Sequence, residues 1–158
     1  MASHPNAQLL ETFYTAFQRR DAEAMVACYA PEIWFSDPVF RDLRGPRAGA
    51  MWRMLAERAS SLEITFSGIS ADDRTGRAHW EARYLFSATG RNVHNIIDAT
   101  FEFRDGKITR HADVFDLWRW SSQALGMKGK LLGWSPLVKN AIHKTATKGL
   151  EAYEAKHR

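Results

Sequence analysis

Asp37, His111 and Asp113 are the residues of this chain best suited by type and spacing to move a proton. His111 and Asp113 stand two apart in "GKITRHADVFD", so in a strand they share one face. Asp37 follows Phe35 at the same spacing in "WFSDPVFRDLRG". A carboxyl on an apolar face is costly, so it is paired or its pKa rises, and a raised carboxyl is a usable general base at neutral pH. A structural Asp113–His111 ion pair is the competing reading. Asn95, the polar exception on an otherwise apolar strand face, could hydrogen-bond a developing oxyanion.

The elements that must position these groups follow from the hydrophobic period. "NAQLLETFYTAFQRRD" repeats Leu9, Leu10, Phe13 and Phe17 on one helical face, with Asn6 as its cap. "DAEAMVACYAP" reads as a short helix started by Asp21, and "GPRAGAMWRMLAERAS" as a third with Pro46 in its first turn. Two extended runs, 33–37 and 39–43, lie between. From Leu62 the period becomes two: Leu62, Ile64, Phe66; then Ala78, Trp80, Ala82, Tyr84, Phe86; then Val93, Asn95, Ile97, Ala99, Phe101, Phe103. "ATGR" and "RDGK" are turns, and a last strand runs to Asp116. Its two faces, Ile108/Arg110/Ala112/Val114 and Thr109/His111/Asp113/Phe115, cannot be ranked by alternation. Three helices before a long meander with one apolar face predict an α+β fold: a strongly bent antiparallel or mixed sheet wrapped over the helices. Beyond it, "DLWRWSSQALG" starts a helix, "GMKGKLLGWSP" reads as a loop, and "SPLVKNAIHKTATKGLEAYEAK" as a final helix. The expected division is a cone, residues 1–116, and a helical extension, 117–158, anchored by Trp118, Trp120, Leu131, Leu132 and Trp134.

The chain has 158 residues and a net charge of +4. Residues 117–158 hold eight Lys/Arg against Glu151 and Glu154, and so carry +6. That excess suits an anionic partner or, more simply, a solvated helix face, and the second reading predicts neither nucleic acid nor membrane as partner. Cys28 is the single cysteine, a small buried hydrophobe by its setting. The apolar runs are too short to span a bilayer and the first residues lack a signal-peptide pattern, so a cytoplasmic location is expected. No P-loop, G-x-G-x-x-G, HExxH or paired CxxC occurs, and His111 with Asp113 lacks a clear third metal ligand. Neither a cofactor nor a metal is expected.

"DAEAMVACYAPEIWFSDPVF" and "FEFRDGKITRHADVFD", with the order of elements, resemble the nuclear transport factor two superfamily over residues 7–116. Its cone-shaped fold serves ketosteroid isomerases, SnoaL-like polyketide cyclases and limonene epoxide hydrolases. The resemblance implies Asp37 at the isomerase's proton-shuttling position. The isomerase's oxyanion tyrosine and acid align with Phe13 and Ala99, with Tyr14 and Asp98 one residue off, so the likeness stops short of a standard steroid isomerase. The hydrolase's water-positioning aspartate aligns with Asp113, but its other catalytic positions hold Trp80, Ala82, Phe35 and Asp37. That comparison implies that Asp113, His111 and Phe115 face the pocket with Trp80, Tyr84, Asn95 and Ile97; Phe35 and Trp52 complete the expected lining.

Two functions fit. One is a SnoaL-like, cofactor-independent enzyme (isomerase, cyclase or hydratase type) that moves protons on an apolar small molecule, with Asp37, Asp113 and His111 as catalytic candidates. The other is a non-catalytic ligand-binding or dimeric module of the same fold. His111 is expected to favour its protonated form beside Asp113, leaving Asp37 as the raised-pKa base. A homodimer through the outer sheet face, with Ile108, Ala112 and Val114 exposed, completes the expectations.

Overall fold

The structure is a computed structural model that describes residues 4–58 and 61–157. Three helices lead: α1 (Pro5–Gln18), α2 (Ala22–Val26) and, after two strands, α3 (Pro46–Arg58). The strands are β1 (Tyr29–Ser36), β2 (Leu43–Arg44), β3 (Glu63–Ala71), β4 (Thr75–Phe86), β5 (Arg91–Arg104) and β6 (Lys107–Val114). They form one open, mixed sheet in the order β2-β1-β6-β5-β4-β3, with β1 and β6 parallel and the other pairs antiparallel. The helix α4 (Leu117–Leu125), then α5 (Met127–Leu132) and α6 (Pro136–Lys156), follow the sheet.

The α1 helix presents Leu10, Phe13, Tyr14 and Phe17 to the concave side of the sheet, all buried. There they meet Trp80 and Phe101 from the sheet and Trp52 from α3, in edge-on and tilted ring contacts. Burial of these rings is the main stabilising term of the cone. Asp21 caps α2 as expected, its carboxylate accepting from the Ala24 N–H. The cap of α1 differs. His4 takes that position, and Asn6 instead donates to the Asp72 carbonyl at 3.0 Å, tying α1 to the β3–β4 turn. Pro5 at the first helical position explains the shift, because proline there fixes the helical φ.

One extra residue decides how β6 faces. Glu102 pairs with Arg110 and Phe103 with Ile108, so Thr109 bulges out of the ladder. A bulge reverses the alternation. Ile108 therefore lies on the inner side with His111 and Asp113, and is fully buried. This corrects the expectation of Ile108 on the outer face. Of the three residues named for that face, Val114 is the strongly exposed one, at 66%. Its surroundings are polar: His79 bridges Asp98 and Glu81 at 2.9 Å each, and Glu81 also meets His94 at 2.7 Å.

The C-terminal region packs on the cone through fewer anchors than expected. Trp120 and Leu117 of α4, and Leu150 and Tyr153 of α6, are buried, and the Tyr153 hydroxyl donates to Glu57 on α3 at 3.1 Å. Trp118, Leu131, Leu132 and Trp134 are exposed instead. Trp118 and Trp120 stand two apart on a helix, about 200° around the axis, so only one of them can face the cone. Residues read as a loop form α5, which folds back on α4. A Cβ on Gly129 would overlap the Ser121 carbonyl oxygen, and one on Gly133 the Ser121 hydroxyl. Gly129→Ala should therefore lower stability by about 1–3 kcal/mol through overpacking. Thermal melts check this; an unchanged midpoint would mean that the hairpin opens without cost to the cone.

Candidate active site

Asp37 sits just beyond the end of β1, in a turn that its own carboxylate builds. Oδ1 accepts from the Val39 N–H at 2.7 Å and the Phe40 N–H at 2.6 Å, while the Asp37 N–H donates to the Phe40 carbonyl at 2.8 Å. The expected strand over 39–43 is replaced by this turn, and β2 begins at Leu43. Pro38 lies inside it, where an extended strand would have needed an N–H that proline lacks. Oδ2 makes no hydrogen bond to a described residue and is open to chemistry.

Burial pushes the Asp37 carboxyl up to about 7; the Phe40 and Val39 amides hold it down, and the Asp113 charge pushes it further up. By accessible surface the residue is only half-buried. The packing around the carboxyl is dense, although part of the residue reaches solvent. Stability carries the signature of this shift. The folded state binds the Asp37 proton more tightly than the unfolded chain does, so between about pH 4 and 7 this residue's contribution falls as pH rises. Relative to Asp37→Asn, the wild type should lose stability, on the order of 1–3 kcal/mol after solvent screening, across that window. Chemical denaturation at both ends measures it; a difference that stays flat with pH removes the shift.

Asp113 and His111 lie deeper, on the inner face of β6. Asp113 is 4% exposed and His111 fully buried. The Asp113 Oδ1 atom meets His111 Nε2 at 2.8 Å and accepts from Trp80 Nε1 at 3.3 Å. On its other side His111 Nδ1 meets the Tyr29 hydroxyl at 2.8 Å, and that hydroxyl accepts from Trp52 Nε1 at 2.8 Å. A neutral imidazole with the proton on Nε2 completes every bond: Trp52 donates to Tyr29, Tyr29 to Nδ1, and Nε2–H to Asp113. A doubly protonated ring would aim two donors at the Tyr29 oxygen and leave its own proton without an acceptor among the described residues. The hydrogen-bond pattern thus favours neutral His111 over the protonated form read from the sequence. Phe35, Phe101 and Trp52 cage the ring at centroid distances of 4.9, 4.4 and 6.1 Å. Phe35 and Trp52 therefore support His111.

Toward the rim stand Tyr84, Asn95 and Ile97, on the same inner face. Tyr84 Oη accepts from Trp120 Nε1 at 2.7 Å, so α4 closes over it. Burial raises the Tyr84 pKa, the Trp120 bond lowers it, and the Asp37 charge raises it, which places Tyr84 and Asp37 in electrostatic reach. Asn95 is buried opposite Ala82, and its amide finds no hydrogen-bond partner among the described residues. Phe115 is half-buried and packs against both apolar clusters. Tyr84 and Val93 also border a cleft of about 380 Å³ with Ser61, Glu63, Arg83 and Gln123. A second cleft, of about 610 Å³, lies at the other end of the sheet, around Asp72, Thr75 and Arg77. Neither is lined by Asp37 or Asp113, so the common cavity expected for the two carboxylates is not among these clefts. Among the described residues no cluster of three His, Cys, Asp or Glu could hold a metal.

One further group lies one residue from the oxyanion-donor position that the resemblance implied. Tyr14 is fully buried, and its hydroxyl has no partner among the described residues. Burial, then the Asp113 charge, hold its pKa well above the usual value, so it remains a neutral donor. The signal available was its place beside Phe13 on α1, but a helical period alone does not separate a core ring from a donor.

The profile of the SnoaL-like domain family matches residues 10–111. The chain belongs to that family. Its place is within the nuclear transport factor two-like superfamily, and the open mixed sheet with its helices is that α+β fold. An LEH-like epoxide hydrolase from M. tuberculosis superposes with a TM-score of 0.63 at 24% identity, over 85% of this chain and 95% of that one. A candidate SnoaL-like polyketide cyclase from Jannaschia sp. CCS1 gives 0.68 at 13% identity, over 78% and 92%. TerC, co-crystallised with polyporic acid, gives 0.59 at 18% identity, over 72% and 92%. Among curated proteins, none matches the chain.

Proposed function

We propose that the protein is a SnoaL-like, cofactor-independent enzyme that moves a proton on an apolar, carbonyl-bearing small molecule. The observation that carries this reading is Asp37, a carboxyl with a pKa of about 7 and one free oxygen. A base is most effective when its pKa lies near the working pH. Asp37 Oδ2 would take the proton from the carbon beside the carbonyl. The resulting enolate oxygen would accept from the Asn95 amide or the Tyr84 hydroxyl. Protonated Asp37 then returns its proton, to the same carbon or to a conjugated one. Asp113 supports this by raising the Asp37 pKa, and the His111–Tyr29–Trp52 chain holds Asp113 in place.

The unpartnered, fully buried Tyr14 hydroxyl favours a ligand, because buried polar groups otherwise find partners. A neighbour crystallised with polyporic acid is consistent with an organic small molecule. The cone of residues 1–116 would carry the chemistry and 117–158 would cover it. Cytoplasmic location and a homodimer through the outer sheet face remain parts of this proposal; light scattering that shows a monomer at all concentrations removes the latter. The second reading, a binding module without turnover, draws on the inward network of His111 and Asp113, which is complete without substrate.

Deuterium exchange at the α-carbons of β-tetralone in deuterium oxide, followed by proton NMR, separates the two. The enzyme reading expects exchange above the buffer rate that rises with pH through about 7 as Asp37 ionises. Saturable binding of β-tetralone with exchange at the buffer rate supports the module.

A further inference from the structure

The nine large apolar side chains exposed among the described residues are not scattered. Six of them, Trp118, Met127, Leu131, Leu132, Trp134 and Leu137, fall within residues 118–137, and they are 47–80% exposed. They form a fixed surface. Trp118 Nε1 donates to the Lys130 carbonyl at 2.9 Å, which ties α4 to α5, and Gly129 and Gly133 seat α5 against Ser121. Trp134 Nε1 donates to the Leu131 carbonyl at 2.9 Å. Both indole N–H groups are thus satisfied within the chain, and their rings present apolar faces outward at no hydrogen-bond cost.

The charge along this stretch is almost all positive, with Asp116, the cap of α4, at its edge. Residues 117–150 contain six Lys/Arg and no Asp or Glu. Lys128 and Lys130 are exposed, Lys139 is half-exposed, and none of the three forms an ion pair among the described residues. A solvated helix face explains the lysines but leaves the six apolar side chains unexplained.

We propose that the α4–α5 hairpin and the start of α6 dock on an anionic lipid surface. Trp118, Leu131, Leu132, Trp134 and Leu137 would enter the boundary between headgroups and acyl chains, and Lys128, Lys130 and Lys139 would lie at the headgroup phosphates. Charge complementarity selects this occupant. A second copy meeting this patch about a two-fold axis would bring lysine against lysine. A nucleic acid would satisfy the lysines and leave three leucines and a methionine in water. No helix among the described residues is long and apolar enough to cross a membrane, so the contact is peripheral. The same α4 covers the rim of the cone through the Trp120–Tyr84 bond, so docking would set that rim beside the lipid phase. The inference stands apart from the enzymatic reading, because lipid binding is measured without substrate or turnover.

Vesicle sedimentation with the full chain tests it. Binding to phosphatidylcholine vesicles with roughly 30% phosphatidylglycerol should be at least about tenfold tighter than to phosphatidylcholine alone, and should weaken with salt. Tryptophan emission should shift to the blue on binding. Leu137→Ser, at a site 80% exposed and unable to unfold the cone, should weaken binding several-fold. Lys128→Glu with Lys130→Glu should abolish the preference for the anionic vesicle. A circular dichroism melt confirms that each variant is folded. Failure to bind either vesicle, equal binding by the folded variants, a dimer that buries the patch, or salt-sensitive binding to a nucleic-acid oligomer without vesicle binding would each overturn the proposal.

Discussion

Asp37→Asn should slow deuterium exchange into β-tetralone by at least about a hundredfold, the usual contribution of a positioned general base. The fold should survive. Asparagine keeps the shape of the side chain, and its oxygen can still accept from Val39 and Phe40, so the turn after β1 remains closed. Above neutral pH the variant should be at least as stable as the wild type, because it removes a charge that burial opposes. Loss of exchange with an unchanged or higher thermal midpoint assigns the chemistry to the carboxylate. Wild-type exchange in the variant would move the base elsewhere, with Asp113 the next carboxyl on the inner face.

Asp113→Ala should have the largest effect on stability of any substitution named here. It strips the acceptor from the His111 Nε2–H and from Trp80 Nε1, both buried, and opens a void against the ring of Trp80. Leaving buried partners unsatisfied costs about 3–5 kcal/mol. For a domain of this size that corresponds to a drop of roughly 10 °C in the thermal midpoint. The same substitution removes one of the causes that raise the Asp37 pKa, so the Asp37 titration should move down. A midpoint within a degree or two of wild type would show that His111 and Trp80 find other partners and that the network does not hold the inner face.

Much of this was readable in the chain because period reports which side a residue takes. Trp80, Ala82 and Tyr84 alternate against His79, Glu81 and Arg83 as the sheet requires, and Leu10, Phe13 and Phe17 mark the buried face of α1. The choice of His111 and Asp113 as inward residues came from the family likeness; alternation could not supply it. It could not reveal the Thr109 bulge either, since one unpaired residue leaves no compositional trace and yet turns Ile108 inward. The turn around Asp37 was hidden for a related reason: Pro38 signalled a break, but Asx hydrogen bonds to Val39 and Phe40 are a matter of geometry.

The tryptophans after Asp116 show where apolar character misleads. Side-chain type says that a residue gains from burial, not that the fold supplies a cover. Trp120 finds Tyr84 and Phe86, while Trp118 and Trp134 find only carbonyls for their N–H groups. The partners of the site were equally silent. Tyr29 and Trp52 reach His111 from β1 and α3, elements distant in sequence, and nothing in their local patterns announces the hydrogen bonds.

The proposed function rests on Asp37 as a proton-transfer group poised near neutrality. Carboxyl-carbon NMR of protein labelled at aspartate, titrated with pH and assigned with Asp37→Asn, measures this directly. The Asp37 resonance should titrate with a midpoint of about 7. A midpoint near the ordinary aspartate value of about 4 would contradict it, because the group would then be a turn-forming carboxylate held fully ionised at neutral pH.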